Sequence, residues 1–84
     1  MHETNPDLVG IKAAVRQLAV RLENEAKASS QWAALAKNRG VPEVAVRLEN
    51  VVAAIEEALS QANAVPELLF EAQEETAGHT HFHD

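Results

Sequence analysis

Leu8, Ile11, Val15, Leu18 and Leu22 recur at alternating steps of three and four, the spacing of a coiled-coil seam along one helix. Carried onward, that register meets Glu25, Ser29, Trp32 and Ala36, so the seam turns polar for two layers. A competing register steps by four from Leu22 and runs through Ala26, Ser29, Ala33 and Ala36. It keeps the stripe small and mostly apolar and leaves Trp32 at its edge. The sequence alone leaves both registers open.

Punctuation sets the ends of this helix. Asn5-Pro6-Asp7 reads as an N-cap, a proline where no N–H is needed, and an acid at the positive end of the dipole. Gly40 follows Lys37 and Arg39, as a C′ glycine follows a cationic last turn. The pattern therefore predicts a helix over about 6–39, roughly 50 Å long. Gly40-Val41-Pro42-Glu43 then reads as a compact turn with a second helix start at Pro42.

In the second arm Val44, Leu48, Val51, Val52, Ile55, Ala58, Leu59 and Ala62 share one face, wider than a two-per-heptad seam. The residue before Pro66 is biased away from helical angles, so this helix is expected over about 42–64, with a third over about 66–76. The two arms match in length when measured from the turn. The expected fold is all-α, a long antiparallel helical hairpin with its second arm kinked at Pro66. The alternative is a full turn at Pro66 and a compact three-helix bundle. The implied organisation is an N-terminal extension over 1–5, a hairpin domain over 6–77 and a His-rich tail over 78–84.

An internal echo crosses the turn. Ala19-Val20-Arg21-Leu22-Glu23-Asn24 recurs residue for residue from Ala45 to Asn50, and Val41-Pro42-Glu43-Val44 recurs nearly as Val65-Pro66-Glu67-Leu68. The pair of echoes suggests a duplicated helix-turn unit, too few for a solenoid.

Two antiparallel helices bury only the strip where they meet, which leaves a face as wide as that of the second arm half uncovered. Pairing two hairpins into a four-helix bundle covers it, so a homodimer is expected. Composition points the same way. A chain of 84 residues without cysteine has a thin core and no disulfide or thiolate zinc site to reinforce it.

The net charge of −6 is unevenly spread: all seven Lys and Arg residues lie at or before Arg47, and every charged residue after it is acidic. That balance disfavours nucleic acid as a partner. No stretch resembles a signal peptide or a membrane span, so no membrane association and a cytoplasmic location are expected.

Candidate chemistry is sparse. Ser29, Ser30 and Ser60 have no base near them in sequence, and no histidine falls inside a helical arm, where a carboxylate-bridged metal site would require one, so no catalytic residues are expected. His79, His81 and His83 alternate along the tail. On an extended strand they would project to one side and, with Asp84, offer a site for zinc, nickel or copper.

Trp32 reads either as a cap on the hairpin core or as an interface anchor. Leu68, Leu69 and Phe70 read as a cover for the open end or as a docking motif. With Val52 and Leu59 from the wide stripe, these are the candidate partner-binding residues. The expected function is a non-enzymatic protein–protein interaction module, an adaptor, small chaperone or inhibitor acting as a hairpin dimer. The alternative is a metal-binding or metal-responsive protein using the histidine tail.

Overall fold

The computed structural model describes residues 6–82, with side chains described through Ala72. It is a two-helix hairpin: α1 spans Pro6–Asn38 and α2 spans Pro42–Phe82. The Cα envelope measures 69 × 19 × 11 Å, a flat rod one helix thick and two helices wide.

The turn is built as the glycine signal predicts. Gly40 adopts a φ of 83°, the left-handed region that a side chain makes costly. Its N–H donates to the carbonyl of Lys37 at 3.2 Å, and the N–H of Val41 reaches back to the carbonyl of Ala36 at 3.0 Å. These are the two bonds of a Schellman motif, which satisfy the last carbonyls of α1. The carbonyl of Val41 then accepts from the N–H groups of Val44 and Ala45 at 3.1 and 3.2 Å, opening α2 with Pro42 as its first residue.

The structure selects the second register. From Val15 onward the seam of α1 runs through Val15, Ala19, Leu22, Ala26, Ser29, Ala33 and Ala36, each of them buried or half-buried, in an unbroken alternation of four and three. Ile11 and Leu18, which the leucine-based register places on the seam, are exposed. Along α2 the corresponding line is Ala45, Leu48, Val52, Ile55, Leu59, Ala62, Pro66 and Leu69. Counting outward from the turn sets Ala36 level with Ala45, Ala33 with Leu48, Leu22 with Leu59 and Ala19 with Ala62. At most levels a small residue takes part, which lets the two helices lie close together.

Among the described residues the buried set is Ala26, Ala33, Ala36, Ala45 and Ala62, with no polar or charged member. No large side chain is fully enclosed. Such a core forgoes most of the roughly 1.5–3 kcal/mol that each fully buried Leu, Ile or Val contributes.

The expected break at Pro66 is absent. The segments anticipated as separate helices over 42–64 and 66–76 are one helix that runs through Pro66 and on to Phe82. Proline removes the hydrogen bond to the carbonyl of Ala62 and crowds it, but one lost bond does not end a helix whose flanking turns are packed. The earlier Val-Pro-Glu does end a helix because Gly40 precedes it; the later one follows Ala64, which has no left-handed alternative to offer. The compact three-helix alternative therefore does not form. Helix α2 also continues past 76, where the third helix was expected to end, as far as position 82.

Candidate protein-interaction site

The heptad lines beside the seam define the two broad faces of the hairpin. A shallow open groove is lined by Glu23, Lys27 and Ser30 of α1 together with Glu56 of α2. These flanks therefore share one side of the molecule. It is the charged side, and Arg16, Lys37, Glu49 and Glu67 belong to it by position.

The opposite flanks share the other side, and it is apolar. On α1 the line runs through Ile11, Ala14, Leu18, Ala28, Trp32 and Leu35 at steps of three and four, interrupted by Arg21 and Glu25. On α2 it runs through Val44, Val51, Ala54, Ala58, Val65 and Leu68, interrupted by Arg47 and Gln61. Ile11, Leu18, Trp32, Leu35, Val44, Val51 and Leu68 are all exposed. Among the described residues the five buried ones are alanines, and seven of the twelve exposed large hydrophobic residues share this face, while Val9, Val20, Val46 and Phe70 fall on the charged side. An apolar grouping of this kind marks an interaction site more often than scattered exposed residues do.

This layout divides the partner-binding residues expected from sequence. Val52, Leu59 and Leu69 are half-buried on the seam, where they pack the arms against each other. Trp32 is 60% exposed on the apolar face, so it does not cap the hairpin core. Leu68 lies on that face as well, while Phe70 lies on the charged side, close to the level of Val9 near the open end. Leu68, Leu69 and Phe70 therefore point three ways and do not share one face.

Ile11, Leu18, Leu35 and Val51 belong to the face without having been singled out from sequence as partner contacts. The signal that finds them is a second stripe of three-and-four spacing, one heptad line away from the alanine seam.

Of the candidate metal ligands, positions 79 and 81 lie on helical backbone, where residues two apart are about 200° apart around the axis. The alternate-residue arrangement that suits an extended strand does not suit a helix. His83 lies outside the described residues. Among the described residues no group of three or more His, Cys, Asp or Glu side chains is placed to hold a metal ion.

Gln61 Nε2 donates to Glu57 Oε2 at 3.0 Å, an exposed one-turn contact within α2 that joins neither face to the other arm. No helix among the described residues is long and apolar enough to cross a membrane. Comparison with protein-family models, with curated proteins and with solved structures finds no match to this chain.

Proposed function

We propose that the protein is a non-enzymatic protein–protein interaction module, an adaptor, small chaperone or inhibitor that works as a dimer of helical hairpins. The observation that carries this reading is the contrast of size and burial: the fully buried residues are alanines, while Ile11, Leu18, Leu35, Val44, Val51, Leu68 and the single tryptophan share one open face. Leaving that face in water forgoes the stabilisation that its burial would contribute. Dimerisation covers it and leaves the charged sides outward, each carrying Phe70 near Val9 as a contact for a further partner.

Sedimentation equilibrium at micromolar concentration tests the dimer, the expected mass being twice 9.1 kDa. Leu18→Glu or Val51→Glu should return the protein to the monomer mass, whereas Glu56→Gln on the charged side should not. Phe70→Ala should release the further partner from a still-dimeric protein. A monomeric wild type, or a partner indifferent to both faces, is the contrary result.

A further inference from the structure

We propose that the apolar face is covered by a second copy of this chain in one particular arrangement: face to face about a twofold axis that crosses both arms near Leu22 and Ala58, so that each α1 packs antiparallel on its counterpart. This deepens the dimer reading above and rests on it.

The face of α1 is complementary to its own reverse. Laid antiparallel about its midpoint, it sets the bulk of Trp32 over Ala14 and that of Leu18 over Ala28, large against small at both levels. It also sets Arg21 of one copy against Glu25 of the other, twice, so the two charges that interrupt this line neutralise each other across the axis.

On the second arm the same axis falls at the level of Ala58 and sets Val51 over Val65, while the α2 line as a whole reverses onto itself about a midpoint near Glu56, two residues away.

The other twofold arrangement stacks each α1 on the partner's α2. It would set Glu25 over Ala54 and Ala58 of the partner and leave it with the cation of its own helix, Arg21 one turn back, whereas the antiparallel arrangement adds Arg21 of the other copy. The area is adequate. The stretch from Ile11 to Leu35 spans about 36 Å along the helix axis, and with the 19 Å width this gives a footprint on the order of 700 Å² per copy, close to the roughly 800 Å² of a standard interface.

A charge-exchange experiment tests the arrangement. Arg21→Glu and Glu25→Arg each create two like-charge pairs across the axis of their own homodimer and should weaken it about tenfold or more. Mixing the two variants restores both pairs with opposite sign, so native mass spectrometry should show the mixed dimer in large excess. Ala58→Cys, in a chain without cysteine, should close a disulfide between copies on mild oxidation. A 9.1 kDa wild-type monomer would overturn the arrangement together with the dimer reading. If the wild type is dimeric but the charge variants pair statistically, or the Ala58→Cys variant fails to cross-link, the arrangement is overturned and the dimer stands.

Discussion

Trp32 and Ala33 are neighbours in the chain and opposites in the fold: the alanine is 4% exposed at the contact between the arms, and the tryptophan is 60% exposed on the apolar face. One step along a helix turns a side chain by about 100°, enough to move it off a two-helix contact onto open surface. Substitutions at the two positions should therefore report different things. Ala33→Leu forces bulk between backbones set level at Ala33 and Leu48 and should lower stability by about 1–3 kcal/mol, seen as an earlier urea midpoint. Trp32→Ala should leave hairpin helicity intact and weaken self-association. As the single tryptophan, Trp32 should also shift its emission to longer wavelength on dilution as dimers dissociate.

Gly40→Ala should cost about 1–2 kcal/mol, measured by thermal unfolding. No heavy atom lies within 4 Å of the position a Cβ would take, so the cost comes from the positive φ and not from a clash. Gly40→Asn should cost less, since asparagine visits that region more readily.

Pro66→Ala should raise stability by roughly 1–3 kcal/mol, because it restores the hydrogen bond to the carbonyl of Ala62 inside a helix that already continues through the site. A rise of several degrees in melting temperature is the expected readout. A fall would mean that the half-buried ring contributes more to the seam than its missing N–H costs.

At 41 residues α2 is longer than the 33 of α1, so its last two turns extend past Pro6, where α1 starts among the described residues. Ending the chain at Gly78 should change stability by less than about 0.5 kcal/mol. Amides near the end of α2 should exchange faster than those near Val52. Calorimetric titration with Zn²⁺ should give equal heats for the full and shortened chains; a larger heat for the full chain would support the histidine reading.

How much of this was legible in the sequence depended on which residue carried the signal. The hairpin and its turn followed from Gly40, because a left-handed residue after a cationic last turn has few other uses. Pro66 misplaced a helix boundary because proline lowers helix stability without ending a helix, and the glycine that makes the first Val-Pro-Glu a turn has no counterpart before the second. The seam was ambiguous for a different reason. Leucine spacing locates the most hydrophobic direction of α1, but a lone pair of helices encloses only what lies directly between them, and there small residues allow the closest approach. The stripe through Leu8, Ile11, Val15, Leu18 and Leu22 points obliquely, between the neighbouring arm and the open face. The candidate site was harder to read because its residues belong to a face defined by both arms, and the register between arms is not a property of either arm alone.

The hexapeptide beginning at Ala19 and its copy beginning at Ala45 occupy equivalent seats. In each, the alanine and leucine lie on the seam, the arginine on the apolar face and the glutamate on the charged one. The two arms are thus related by an approximate rotation within a single molecule, and neither depends on the other's identity for its packing instructions. The short link between Asn38 and Pro42 acts chiefly as a tether, raising the effective concentration of one arm near the other into roughly the millimolar range without shaping the contact. A chain cut at the turn should accordingly reassemble from its two halves once both are supplied at that concentration.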